Sequence, residues 1–441
     1  MPRRESFFVA KQILRLSAPE VCPRSSASGW YSHGMESAST IPSPATDVVR
    51  PLSGVKVLDF TRVLSGPYCT ALLADLGADV VKVESPQGDE YRRIGPFRAG
   101  ESALFQLVNR NKRGMVIDLK QPAGRALALR LAESADVLVE NFRPGIAAKL
   151  GIGYTDCARA NPRLIYASIS GFGQASQKRD LPAFDLIAQA MSGLMAMTGD
   201  PEGPPMKVGE SIGDLAAGLF CSWAILAALY ERTRTGRGRQ LDVGMVDSLV
   251  SLAPTGVAQW MFGETPPTRT GNRHPLSTPF GAFPARDGYV VICVLNGPQF
   301  EHLAACIGRP ELSADPRFGT DELRTKSEPL LAALLASWLA PLSVAEAVQR
   351  LNAAGVPASP IEEPAAVFAG THAAERGLLS TLRHPRLGAI PAMEQPVHFG
   401  GLPRGQQRPA PNLGENHRAI LESWLNLPAE EIDRLENIHD P

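Results

Sequence analysis

Two aspartates stand at the heads of helical runs. Asp185 opens the run in PAFDLIAQAMSGLM (182–195), and Asp214 stands in GESIGDLAAG (209–218), ahead of a second run. An aspartate at a helix start has two uses. It accepts hydrogen bonds from the free N–H groups of the first turn, or it serves as a nucleophile that carries a covalent intermediate. Residue type alone leaves both open. A second group mixes small and basic side chains: Lys120 after MVIDL, then Asn141, Phe142 and Arg143 after DVLVE, then Lys149. Cations and free N–H groups at helix starts suit phosphate; a solvated surface charge is the alternative for each. Arg62, Arg92, Arg93, Arg269 and Arg273 are candidates to hold a carboxylate through paired N–H groups, with Arg62 first among them.

These residues follow short apolar runs. VKVLDF (55–60), DVVKVES (79–85), MVIDL (115–119), DVLVENF (136–142) and LIYASISGF (164–172) read as strands, with helices at 66–76 and 122–134. Strand–helix alternation with nearly continuous apolar strands predicts an α/β fold on a parallel sheet covered on both faces. Such sheets take ligands outside the carboxyl ends of their strands, which selects 61–66, 85–89, Lys120, 141–145 and 171–174. The first strand-to-helix turn, TRVLSGPYCT, has one glycine where a dinucleotide site needs GxGxxG, so a nicotinamide cofactor is excluded. A Walker loop and HExxH are also absent. Residues 185–230 read as helical. Residues 254–280, rich in Pro, Gly and Thr, read as a linker or loop. GYVVICVL (288–295) and the helical runs to about 354 read as a smaller α+β domain at 275–385, and 409–425 as a loop and then a helix.

The chain has 441 residues, 44% of them hydrophobic, with 44 Lys+Arg against 45 Asp+Glu. That near-neutral balance argues against nucleic acid or an anionic membrane as the main partner. The cysteines 22, 69, 157, 221, 293 and 306 are scattered without metal-ligand spacing, which points to reduced thiols, no metal and a cytoplasmic location. The apolar run 215–230 is short for a bilayer span and reads as a core helix. Residues 1–50 are Ser-, Arg- and Pro-rich and read as a disordered extension; if 1–34 are an Arg-bearing presequence, the location becomes the mitochondrial matrix.

The segments PLSGVKVLDFTRVLSGPYCTALLADLGADVVKVESP, NRNKRGMVIDLKQPAG, DVLVENFRPG, NPRLIYASISGFGQ, FDLIAQAMSGLM, TRTGRGRQLDVGMVDS and APNLGEN together resemble family III CoA-transferases, over about 51–425. The resemblance implies an open Rossmann-like large domain (51–245), a linker (246–274), the small domain (275–385), a C-terminal return to the large domain (386–441), and an interlocked homodimer. It implies acyl-CoA and a carboxylic acid as substrates, with no tightly bound cofactor. It places the nucleophile on Asp185, and CoA contacts on Val63, Leu64, Ser65, Ser85, Ile117, Lys120, Asn141, Phe142, Arg143 and Lys149. Succinyl-CoA is the favoured donor and a dicarboxylate the acceptor. The loop Thr270–Pro279 is a candidate lid. The alternatives are an α-methylacyl-CoA racemase, an acyl-CoA hydrolase and a non-catalytic CoA-binding protein. In the racemases a His precedes the residue matching Asp185, and a second acid matches Asp214; here the preceding residue is Phe184, which exchanges no proton.

Overall fold

The computed structural model describes residues 49–264, 266–404 and 407–439. The presequence reading of 1–34 lies outside the described residues. Six strands form one parallel sheet: β1 (Lys56–Asp59), β2 (Asp79–Glu84), β3 (Arg113–Val116), β4 (Val137–Glu140), β5 (Ile165–Ser170) and β6 (Arg239–Gly244). Their order is β3-β2-β1-β4-β5-β6. The chain steps outward from β1 to β3, then returns to the other side of β1 with β4. The order therefore reverses between β1 and β4, and the crevice beyond their carboxyl ends is where such a sheet opens to a ligand.

The helices that matter for the site are α1 (Ser65–Asp75), α2 (Pro122–Ser134), α3 (Asp185–Met191), α4 (Ile212–Thr235), α5 (Met245–Ser251), α6 (Pro254–Gly263) and α7 (His417–Leu425). Alternation along each strand sends neighbours to opposite faces. Leu58, Val81, Leu138 and Tyr166 meet Leu127 and Leu131 of α2 and Ile420, Leu421 and Trp424 of α7. Val57, Val80, Val137 and Ile165 meet Leu73 of α1 and Ala217, Cys221 and Ile225 of α4. Both faces are thus covered, and the C-terminal helix closes the face opposite α4.

A second, three-stranded antiparallel sheet has the order β9-β8-β7, from β7 (Phe280–Ala285), β8 (Gly288–Cys293) and β9 (Ala358–Pro360). It has its own core, with Phe283, Val290, Ile292, Leu303, Leu335 and Leu351.

Several elements differ from the sequence expectation. The third strand starts at Arg113, earlier than read, because Ile117 already makes the last ladder bond to the Glu84 carbonyl and Asp118 begins the turn into α2. The edge strand β6 was not foreseen: RQLDVG has no apolar run, and its residues are largely exposed. Within 254–280, Pro254–Gly263 is helical. Pro254 sits in the first turn, where its missing N–H costs nothing, and β-branched and glycine residues hid the period. The core helix α4 has 24 residues, longer than its apolar run, and stops at Gly236, which takes φ 69°. Among the described residues it is the one helix long and apolar enough to cross a bilayer. Here it packs on α1, α5, β5 and β6.

Candidate active site

The turn after β1 is held from below by buried charges. Asp59 lies opposite Lys82 of β2 in the ladder. It accepts hydrogen bonds from Thr61 Oγ1 at 2.5 Å and Thr70 Oγ1 at 2.6 Å, and pairs with Lys112 Nζ at 3.0 Å. Burial opposes its charge, but Lys112, Lys82 and the two hydroxyls outweigh burial and hold its carboxyl below the usual range. Lys82 Nζ reaches the Thr61 carbonyl and Asp89, both at 2.8 Å. Asp89 in turn accepts the Val63 N–H at 3.1 Å. Val63 needs that support, because it has φ 67°, a region that β-branched residues avoid. From the other side Asn141, just past β4, laces the turn shut. Its Oδ1 accepts the Arg62 N–H at 2.9 Å, and its Nδ2 donates to the Arg62 carbonyl at 2.8 Å and to Ser65 Oγ at 3.3 Å.

A cleft of about 330 Å³ opens at these carboxyl ends. Of the residues expected on sequence grounds, Arg62, Ser85, Ile117, Lys120 and Phe142 line it. Val63, Leu64, Ser65 and Asn141 build the turn beside it. Arg143 and Lys149 are exposed and do not line it. Arg62 pairs with Glu90 at 2.7 Å and lies over the Phe142 ring. Its guanidinium therefore belongs to this cleft, beside Lys120 and Arg93. Arg93, and Gln87 and Gly88 within the selected 85–89, also line it, while Glu90 was missed, because the short turn that carries it has no helical or strand period. The loop Thr270–Pro279 lines a separate cleft of about 180 Å³ with Thr325 and Glu328.

Asp185 and Asp214 do meet, and they are not equivalent. Asp185 Oδ1 accepts the Gly213 N–H at 2.7 Å, and its Oδ2 accepts from Gln189 Nε2 at 2.7 Å. Ser211, the residue at the N-cap position of α4, makes no side-chain cap bond. Asp185 therefore caps a helix, but α4 rather than its own α3. Asp214 follows Gly213 in the first turn of α4. Burial and then the nearby Asp185 charge push its carboxyl up to about 6, against the hydroxyl and N–H of Ser65, which pull it down. So both carboxylates are held, Asp185 by Gly213 and Gln189 and Asp214 by Ser65 of the turn, and Asp214 is more basic than an ordinary aspartate. Gln189, fully buried, was another residue the sequence did not mark. It also accepts the Val208 N–H at 2.9 Å.

Contacts run without a break from Asp214 through Ser65 and Asn141 to Arg62 and the cleft. An acid beside an anion-suited cleft, outside a parallel sheet, fits covalent transfer on a large anionic ligand. Among the described residues, no group of three or more His, Cys, Asp or Glu is placed to hold a metal.

Known proteins share this architecture. The profile of CoA-transferase family III matches residues 52–417. The chain is 41% identical over 377 residues to an acetyl-CoA:oxalate CoA-transferase from Acetobacter aceti, covering 85% of this chain and 96% of that one. It is 37% identical over 396 residues to a succinyl-CoA:glutarate CoA-transferase from Mus musculus, covering 89% and 91%. The crystal structure of a CAIB/BAIF family protein from Brucella suis aligns with TM-score 0.73 and 35% identity, over 84% of this chain and 98% of that one. With the profile spanning most of the chain and these identities over nearly the full length of the relatives, the protein belongs to family III of the CoA-transferases.

Proposed function

We propose that this enzyme moves CoA from an acyl-CoA, with succinyl-CoA favoured, to a dicarboxylic acid, through a covalent aspartyl thioester at the pair Asp185 and Asp214. The carrying observation is Asp185 at the head of α3, its two oxygens oriented by Gly213 N–H and Gln189 Nε2, with its neighbour Asp214 bonded to the turn that walls the cleft. Those donors fix the carboxylates and leave lone pairs for attack. The expectation from sequence is attack by Asp185. Relatives named for succinyl-CoA with glutarate and with mesaconate support the choice of donor and acceptor.

The nucleophilic aspartate attacks the thioester carbonyl and expels CoA thiolate, leaving a mixed anhydride. The thiolate attacks the aspartyl carbonyl, forming aspartyl-CoA and releasing the donor acid. The acceptor carboxylate attacks that thioester, and the returning thiolate takes the acyl group from the second anhydride. Thioester is exchanged for thioester, so no energy source is consumed. In the cleft, Arg62, Arg93 and Lys120 supply cations and Phe142 a flat apolar wall, which suits a phosphorylated nucleotide. The residue before Asp185 is the exposed Phe184, which disfavours the racemase.

Succinyl-CoA offered against a dicarboxylate panel is expected to give the acceptor's CoA ester, read by chromatography. Hydrolysis without any exchange on the whole panel would overturn this reading.

A homodimer belongs to the same proposal. Ile187 of α3, Leu219 and Trp223 of α4, and Trp260, Met261 and Phe262 of α6 are exposed. Apolar area on this scale marks a protein contact. Sedimentation is expected to give a dimer for the native chain and a monomer for Trp223→Asp/Phe262→Asp; a native monomer would sink it. A reducing, cytoplasmic setting is supported by free cysteines at 69, 157, 221, 293 and 306.

A further inference from the structure

Glu140 ends β4 and is a buried acid that the mechanism above does not use. It is 3% exposed. By alternation it lies on the face that carries Leu138, with Ser168 of β5 opposite it in the ladder. Among the described residues no cation pairs with it. Burial pushes its carboxyl up to about 7, against the Ser168 hydroxyl and the Phe142 N–H, which pull it down. An acid buried without a cation is costly, and an apolar side chain would fill the same space at less cost. What Glu140 holds therefore bears on why it is there.

The contact is local. Glu140 Oε2 accepts the Phe142 N–H at 2.9 Å. The bond spans two residues and turns the chain as soon as the strand ends. Two groups are aimed by that turn. Asn141 bonds both the N–H and the carbonyl of Arg62, at 2.9 and 2.8 Å. The Phe142 ring lines the cleft, with the Arg62 guanidinium 5.9 Å from its centre. Arg62 and Phe142 are thus two walls of one cleft, and residues 140–142 set their spacing. Glu140 itself does not line the cleft. It holds a wall without touching what binds there.

We propose that Glu140 is a positioning residue that sets the affinity of the cleft for the nucleotide end of the acyl-CoA, acting through Phe142 and Arg62 and taking no part in bond making. The inference rests on the CoA-transfer reading and names what tunes its binding half. Hydrogen bonds to an ionised acceptor are about twice as strong as neutral ones. An N–H held in that way keeps the Phe142 ring in place before the ligand arrives, so less ordering is left for the binding step.

The test pairs two variants. Glu140→Met matches the length of the side chain and suits the apolar surroundings, but it removes the acceptor. Glu140→Gln keeps an acceptor oxygen for the Phe142 N–H. Calorimetric titration with CoA is the first readout, and KM and kcat with succinyl-CoA the second. Glu140→Met is expected to bind CoA about 10- to 100-fold more weakly and to raise KM in step, with kcat at saturation within about twofold of native. Glu140→Gln is expected to stay within about threefold of native in both. Equal CoA affinity in Glu140→Met and native enzyme, a loss confined to kcat, or a Gln variant as weak as the Met variant overturns the proposal. Native enzyme that binds CoA yet exchanges nothing fails the transfer reading alone, so the two failures are distinct.

Discussion

One of the two variants Asp185→Asn and Asp214→Asn is expected to lose the CoA adduct and at least about 10³ in kcat while remaining folded. In Asp185→Asn the Oδ1 still accepts the Gly213 N–H, and α4 keeps its cap. Asp214→Asn is expected to be more stable than the native enzyme at neutral pH. Folding raises the Asp214 pKa from 3.8 to about 6, so the folded state binds its proton more tightly than the unfolded state. For an acid shifted upward, stability is highest when the group is protonated and falls as pH rises from about 4 through 6. Above that window the buried charge costs on the order of 2–3 kcal/mol. Asn removes the charge, keeps an acceptor oxygen for Ser65, and relieves the cost. Urea titration at neutral pH checks it, and a variant no more stable than native would overturn it.

Intact mass of both variants is the companion measurement. Adduct lost only in Asp185→Asn places the nucleophile on Asp185, and adduct lost only in Asp214→Asn places it on Asp214. Adduct retained in both overturns the aspartyl thioester.

Lys112→Met is expected to cost about 3–5 kcal/mol in urea unfolding. Lys112 Nζ bonds Asp59 at 3.0 Å, the Pro67 carbonyl at 2.9 Å and Asn109 at 2.9 Å. Asp59 is fully buried. Methionine matches the length of the stem but leaves the Asp59 charge without its partner inside the sheet. Losing one member of a buried pair costs far more than the pair contributes, because the remaining charge has no solvent. The double variant Asp59→Asn/Lys112→Met is therefore expected to be more stable than Lys112→Met alone. A loss below about 1 kcal/mol for Lys112→Met would show that water reaches Asp59 and that this network does not brace the turn. The same variant tests function indirectly, since Asp59 and Lys82 hold Thr61, and Thr61 begins the turn that carries Val63 to Ser65.

Much of the fold was legible in the sequence. Apolar runs such as VKVLDF and DVVKVES have a single stable arrangement, because strands that are apolar on both faces must lie in a sheet covered twice. From that sheet it followed that the residues after β1, β2 and β4 would be the ones facing a ligand, and Arg62, Ser85 and Phe142 line the cleft. Elements with little apolar character stayed hidden. The β6 segment RQLDVG pairs at an edge through its backbone, and backbone pairing leaves no mark on residue type. Helix α6 was obscured by its Pro, Thr and Gly.

The sequence by itself determined the fold class, the family and the strand-end location of the cleft. It offered two aspartates at helix starts and could not show that they meet. An aspartate at a helix start looks the same whether it caps its own helix or another, because the difference lies in which N–H groups come within 3 Å from elsewhere in the chain. Only the tertiary structure brings Gly213 to Asp185, 28 positions away, and Ser65 to Asp214.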